Sequence, residues 1–144
     1  MIVGVRNMKK GESLMNRINK KMNKNVVEVL PLDMTSVISI KEFAEAFLNK
    51  GLPLHLLINN EGNWLVLIFF SLFRPIALFR VPYRRTSSGI ERQFQANYLG
   101  PFLLTNLLLP KLTECSPSQI INVSSIFHRK GNCGKKFSET KICF

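Results

Sequence analysis

The stretch Leu54-His55-Leu56-Leu57-Ile58-Asn59-Asn60-Glu61-Gly62 constrains this chain more than any other. A short apolar run that stops on paired asparagines and a glycine reads as a buried parallel strand whose end opens onto a ligand crevice. Other apolar runs stop in the same way. Residues 2–5 close on Arg6-Asn7, residues 26–32 lead into Asp33, and residues 118–123 run into Ser124-Ser125. Each is too short for a helix and rich in Val, Ile or Leu, which fits a strand covered on both faces.

The connections carry helical spacing. Residues 8–24 place Leu14, Met15, Ile18 and Met22 on a narrow stripe with lysines elsewhere. Next, Ser39 followed by Glu42 fits a capping box, and Ile40, Phe43, Ala44, Phe47 and Leu48 keep one face apolar. Gly51 sits where a left-handed cap is wanted, and Pro53 bars continuation. A long helix is expected from about 88 to 114, carrying Phe94, Phe102, Leu103, Leu107 and Leu108. Pro101 falls inside it, at a cost of roughly 3 kcal/mol or a kink.

The order β-α-β-α-β-insert-α-β implies an α/β fold with a partial, doubly wound parallel sheet of about four strands. One domain is expected over 1–131, with an apolar insertion at roughly 63–81 and an irregular basic tail over 132–144. The insertion holds ten residues from Trp64 to Phe73 with Ser71 as the only polar one. That is short of the roughly 20 apolar residues of a membrane span. It leaves open a membrane-dipping hairpin, a loop, or sequence foreign to the fold.

The net charge of +11 is dispersed: residues 1–24 carry seven basic groups against one Glu, residues 74–92 five against one, and the tail from Arg129 five against one. No continuous basic face with stacking aromatics emerges, so nucleic acid is not an expected partner; an anionic membrane surface or a phosphorylated cofactor fits the charge better. Cys115, Cys133 and Cys143 form an odd set without metal-ligand spacing. Reduced thiols, no metal site, and an intracellular setting, cytoplasmic or at the cytoplasmic face of a membrane, are expected.

Taken in order, Val5-Arg6-Asn7, Leu32-Asp33, Asn59-Asn60-Glu61-Gly62, Asn97-Tyr98-Leu99-Gly100-Pro101-Phe102 and Asn122-Val123-Ser124-Ser125 resemble the short-chain dehydrogenase/reductase family. Residues 103–110 and 124–128 resemble its retinol-dehydrogenase-like branch. The likeness covers roughly 1–62 and 82–131 and implies a Rossmann-like fold. It implies hydride transfer between NADP(H) and an alcohol or carbonyl, with retinoid, steroid or other lipid-like substrates. By that resemblance Arg6 meets the adenosine ribose, where a guanidinium can fork onto a 2′-phosphate. Asp33, with Met34 beside it, meets the adenine, while Asn59, Asn60 and Gly62 border the cofactor. Asn97 anchors a water of the proton relay, and Ser125 polarises the substrate oxygen. The plain alternatives are a solvated Arg6, Asp33 as a turn residue, Asn97 on a helix surface, and Ser124-Ser125 as a strand end.

Several departures bear on activity. Glu61 stands where the family pattern has a small Ala, and a carboxylate beside a nucleotide phosphate repels it. The chain contains no glycine-rich pyrophosphate turn, and no tyrosine follows Tyr98, so the family's Tyr-x-x-x-Lys pair is missing. Lys141 has Phe137 at the tyrosine's spacing, and phenylalanine has no proton to give. The polypeptide as written is therefore expected to be inactive. A non-catalytic interaction module, pairing with a relative or a second copy through the 88–114 helix, is the alternative.

Overall fold

A computed structural model of the chain describes residues 1–60 and 83–124. The insertion at 63–81 and the tail at 132–144 therefore lie outside the described residues. Strand β1 (Ile2–Val5) leads into helix α1 (Met8–Met22), which Asn7 opens by accepting a hydrogen bond from the Lys10 N–H at 3.1 Å. Asn19 ties the end of α1 to the returning chain. Its Oδ1 accepts from the N–H groups of Val26 and Val27 at 2.9 Å each, which aims the chain into β2 (Glu28–Pro31). The two strands pair in parallel, with Ile2 opposite Glu28 and Val5 opposite Pro31.

Helix α2 (Val37–Leu48) begins a turn earlier than the expected capping box. Ser36 is the cap, accepting from the Ser39 N–H at 3.3 Å. Ser39 lies inside the helix, where its Oγ accepts from the Asp33 N–H at 3.0 Å. The turn that Asp33 and Thr35 form delivers a hydroxyl to the first exposed donors before Ser39 is reached. The apolar face is as spaced: Ile40, Phe43, Ala44 and Phe47 are buried, each large side chain contributing roughly 1.5–3 kcal/mol of burial. Gly51 takes φ +63, the left-handed conformation that a side chain would oppose.

Strand β3 (Leu56–Asn59) pairs in parallel with β4 (Gln119–Asn122). The helix expected from 88 starts instead at α3 (Arg92–Phe94), because Thr86 to Ile90 close a turn around Gly89 at φ +78. Glu91 caps it through bonds from the Gln93 and Phe94 N–H groups at 2.9 and 2.7 Å. A π-turn at Gln95–Leu99 follows, then α4 (Gly100–Glu114). The π-turn explains how Pro101 is accommodated. Pro101 has no N–H for Asn97 at α-helical spacing, and the wider turn, with Gly100 donating to Gln95, starts α4 with the proline in its first turn.

Successive strand residues point to opposite faces, which locates the layers. On β1, Gly4 lies against Leu32 and Phe43 of the α2 side, while Val5 lies against Gly11 of α1. Helices α1 and α2 therefore cover opposite faces of β1–β2. Leu57 joins the core formed with Ile40, Phe43, Leu104, Leu108 and Leu112, so α2 and α4 share one face. Right-handed crossovers then set the strand order. With α1 on one face, the chain steps from β1 to β2; with α2 and α4 on the other, it steps back past β1 to β3 and on to β4. The order is β2-β1-β3-β4, and the direction of winding reverses between β1 and β3.

The fold is α/β with parallel strands, as expected, but the four described strands form two separate pairs instead of one ladder. Among the described residues, β1 and β3 share no hydrogen bonds. No described helix is long and apolar enough to cross a membrane.

Candidate functional site

In doubly wound sheets ligands bind beyond the carboxyl ends of the strands, where winding reverses. Arg6 follows β1 directly. It is exposed and makes no ion pair among the described residues, so its guanidinium is available to an anion. Asn60 follows β3 and is exposed as well.

Asp33 lies just beyond β2 and is half-buried. Its Oδ1 accepts from the Thr35 N–H at 2.8 Å and the Thr35 Oγ1 at 2.7 Å, so one carboxylate oxygen is committed to a local turn. The plain alternative for Asp33 thus describes half of what the side chain does. Met34 departs from the expectation of direct cofactor contact through its side chain, which is buried in the core, and its carbonyl faces Gln95 and Gly100. Contact with a ligand is left to its main-chain N–H.

Asn59 departs further. Its side chain is 7% exposed and turned into the molecule. Its Nδ2 donates to Thr105 Oγ1 of α4 at 3.1 Å and to Asn122 Oδ1 of β4 at 2.8 Å. That triad locks the ends of β3 and β4 to α4, and Asn60, one residue on, takes the opposite direction. Asn59 Oδ1 is buried without a partner among the described residues.

Asn97 sits in the π-turn, half-buried, with its Nδ2 donating to Gln93 Oε1 at 3.3 Å. Its carbonyl lacks the donor that Pro101 would have been. Gly62 and Ser125, the remaining expected site residues, lie outside the described residues, as does Glu61.

Sequence reasoning missed the clamp that sets the π-turn against the β2–α2 turn. Gln95 is 2% exposed; its Nε2 donates to the Met34 carbonyl at 3.5 Å, and its Oε1 has no partner among the described residues. Gly100 allows the approach, since a Cβ there would stand 2.7 Å from the Met34 oxygen. The glycine was readable within the Asn-x-x-Gly pattern; nothing marked Gln95 as buried. Thr105 and Asn122 sit within the family-like motifs, where their residue types alone mark no role.

The arrangement offers a cation, a carboxylate and main-chain groups beside adjoining parallel strand ends, suited to the adenosine part of a dinucleotide. Among the described residues it does not offer a pyrophosphate cradle. No group of three metal-ligating side chains occurs among the described residues. A shallow depression of about 460 Å³, lined by Met15, Asn19, Asn23, Asn25 and the lysines Lys20 and Lys24, lies at the other end of the strands.

Residues 1–137 match the sequence model of the family described as short chain dehydrogenase. Over 129 residues the chain is 37% identical to bovine (Bos taurus) retinol dehydrogenase 12, covering 90% of this chain and 36% of that protein. Polyprenol dehydrogenase of Danio rerio is 34% identical over 148 residues, covering all of this chain and 41% of that protein. Thus the chain spans well under half the length of these relatives. Among solved structures, an uncharacterised protein from Mycobacterium paratuberculosis superposes with a TM-score of 0.67 at 30% identity, over 98% of this chain and 44% of that one. An NADPH-bound carbonyl reductase from chicken fatty liver superposes with a TM-score of 0.56 at 26% identity, over 88% and 48%.

Proposed function

This chain belongs to the short-chain dehydrogenase family, and on that premise we propose that it forms the adenosine side and part of the substrate side of an NADP(H)-dependent oxidoreductase crevice. The reaction is interconversion of an alcohol and a carbonyl. The observation that carries the reading is that Arg6, Asp33 and Asn60 each follow the carboxyl end of a parallel strand, two of them flanking the reversal of winding.

Each residue has a distinct task. Arg6 forks onto the 2′-phosphate, which favours NADP(H) over NAD(H). The second carboxylate oxygen of Asp33 accepts from the adenine amino group, and the Met34 N–H donates to the ring. Asn60, with Gly62 beyond it, borders the cofactor. The Asn97 carbonyl, deprived of its helical donor by Pro101, holds the water of a proton relay. Ser125 donates to the substrate oxygen and polarises it. When bound, the nicotinamide supplies or accepts the hydride. The substrate is a lipid-like alcohol or its carbonyl. The relatives named for retinol and polyprenol support this, since both are isoprenoid alcohols.

The chain holds no Tyr-x-x-x-Lys pair, so by itself it is expected to bind nucleotide without turning it over. Titration of the purified chain with NADPH and NADH tests the reading. NADPH is expected to bind more tightly, and Arg6→Ala to weaken it by roughly ten- to a hundredfold, the loss of charge-assisted bonds, with little change for NADH. Equal binding of both nucleotides, or none, overturns it. Oxidation of NADPH with retinal clearly above that of a Ser125→Ala chain overturns the expectation of inactivity.

One observation favours a second reading, association through α4. Phe102 and Leu109, large apolar side chains of α4, are exposed among the described residues. Sedimentation that stays monomeric at high concentration, alone and beside a full-length relative, removes it.

A further inference from the structure

Residues 84–92 form a small hairpin that leads into α3. The Thr86 N–H donates to the Ile90 carbonyl and the Arg92 N–H to the Arg84 carbonyl, both at 2.8 Å, with Arg85 opposite Glu91 between them. The Gly89 N–H donates to the Thr86 carbonyl at 2.9 Å, and Gly89 takes φ +78. Ser87 and Ser88 are therefore the tip of a turn closed by a left-handed glycine, and both are exposed. Their hydroxyls differ. Ser88 Oγ lies 2.8 Å from Thr86 Oγ1, which also reaches the Ile90 carbonyl at 3.2 Å. Ser87 Oγ makes no hydrogen bond among the described residues.

The hairpin is strongly basic for its size. Arg84 and Arg85 are exposed, and neither they nor Arg92 form an ion pair among the described residues. Glu91, the hairpin's carboxylate, is spent on capping α3 through the Gln93 and Phe94 N–H groups. Arg85 turns to Tyr83 instead, its Nε donating to the hydroxyl at 3.1 Å. The main-chain bond from Arg92 to Arg84 sets those two cations opposite one another, where like charges repel. In the order Arg84-Arg85-Thr86-Ser87, two uncompensated guanidinium groups thus stand three and two residues before a spare serine hydroxyl.

We propose that Ser87 is a phosphoacceptor for an arginine-directed protein kinase. Carboxylate-lined subsites of such an enzyme fit guanidinium groups at this spacing, each through paired charge-assisted bonds. With magnesium-bound ATP as co-substrate, Ser87 Oγ bonds to the γ-phosphorus as the bond from that phosphorus to the β,γ-bridging oxygen breaks. ADP leaves with the bonding electrons, and the hydroxyl proton passes to a carboxylate of the kinase. The product brings about two negative charges to a hairpin that lacks them, so the charge that guides the kinase also favours the phosphoserine. Kinase clefts take extended segments, and a surface hairpin held by so few main-chain bonds opens locally at little cost. Ser88 has Arg85 three residues before it, but Thr86 two before it, and its hydroxyl is already engaged. The assignment is independent of the nucleotide reading, because it uses none of the residues given to the cofactor.

Site-resolved phosphorylation of the full 144-residue chain tests this. The probe is the catalytic subunit of cyclic AMP-dependent protein kinase with magnesium ATP; a kinase that selects acidic flanks is the control. Fragment mass spectra follow Ser87 separately from Ser138, which Lys135-Lys136 precede at the same spacing. Ser87 is expected to acquire phosphate from the first kinase and not from the control. Arg84→Gln and Arg85→Gln should each slow that step at least about tenfold, the loss of charge-assisted bonds. Ser87→Ala should remove the signal without raising one at Ser88. Three results overturn the assignment. Ser87 stays unmodified in the folded chain, whether or not a peptide of residues 82–92 is modified; the phosphate settles on Thr86 or Ser88 instead; or the rate at Ser87 ignores the arginine substitutions or the choice of kinase.

Discussion

Among the described residues, the β1–β2 half is a filled sandwich, with α1 on one face and α2 on the other, whereas the β3–β4 half rests on α4. The same kind of short apolar run built both. Gly4 and Val5 each find a packing partner, while Leu56 and Ile58 on β3 remain at the surface. The difference teaches that a strand's hydrophobicity reports the environment it evolved to occupy, which can exceed the one that the described residues provide. It also divides the polar residues near the strand ends. Arg6 is spare and exposed, whereas Asn59, in the less supported half, spends its donors on holding β3, β4 and α4 together.

The contrast is easiest to break by truncating one side chain in each environment. Leu108 is 1% exposed within the shared core, and Leu108→Ala should cost about 2–5 kcal/mol of unfolding free energy. Ile121→Ala, on the uncovered face, should cost within about 0.5 kcal/mol. Denaturant titrations of the two variants decide it. A comparable loss for Ile121 would mean that its face is covered, and the asymmetry would disappear.

A smaller effect is expected at the junction between the halves. Gly100→Ala puts a methyl group 2.7 Å from the Met34 carbonyl, backbone against backbone, so relief requires α4 to shift away from the β2–α2 turn. A loss of about 1–3 kcal/mol is expected from overpacking of this kind. If Asn97 is held by the same geometry, nucleotide-dependent changes in its amide signal should weaken in parallel. An unchanged melting temperature would show the junction to be looser than drawn.

Smaller again, and opposite in sign, is Gln95→Met. Gln95 buries an amide whose donor reaches Met34 only at 3.5 Å and whose acceptor has no partner among the described residues. A methionine of similar volume removes the desolvated acceptor and gives up a marginal bond, so the chain should become more stable by about 1 kcal/mol. Destabilisation would show that the amide has a partner beyond the described residues.

These sites show where sequence reasoning reaches and where it stops. Short continuous apolar runs located all four described strands, and 3.6-residue spacing the buried face of α2, because burial on both faces makes a strand apolar throughout while burial on one face constrains every third to fourth residue of a helix. The start of α2 was misplaced because Ser36 and Ser39 are chemically equivalent caps, and only the Asp33 turn decides between them. The break at Gly89 and the π-turn escaped because a one-residue change of helical register leaves the apolar spacing of Phe94, Phe102 and Leu103 almost intact. The split sheet was out of reach for a different reason. Alternation tells which face of a strand is apolar, but an unpaired edge is a property of main-chain groups common to every residue. The inward turn of Asn59 belongs here too: one strand position separates it from Asn60, and only the pairing register assigns them to opposite sides.

The smallest difference concerns charge. In the β1–β2 half, Lys50 reaches Glu28 at 2.6 Å, joining the chain just past α2 to β2 across 22 residues of sequence. In α4, Lys111 meets Glu114 at 2.8 Å, one helical turn away. The first pair constrains tertiary structure; the second only decorates a helix already formed, and solvent screens it. The Glu114 carboxylate, chiefly through its hydrogen bond, raises the Lys111 pKa above its ordinary value. A raised lysine pKa stabilises the folded chain fully below the unfolded value, and that contribution is lost as pH rises through the folded one. Glu114→Gln should therefore be marginally less stable than the parent at neutral pH, and the deficit should close in strongly alkaline solution. Lys50→Met should produce the larger deficit, smaller still than the change at Gln95. Thermal melts of both variants from neutral to alkaline pH test the ranking, and it fails if the local pair outweighs the one that spans the fold.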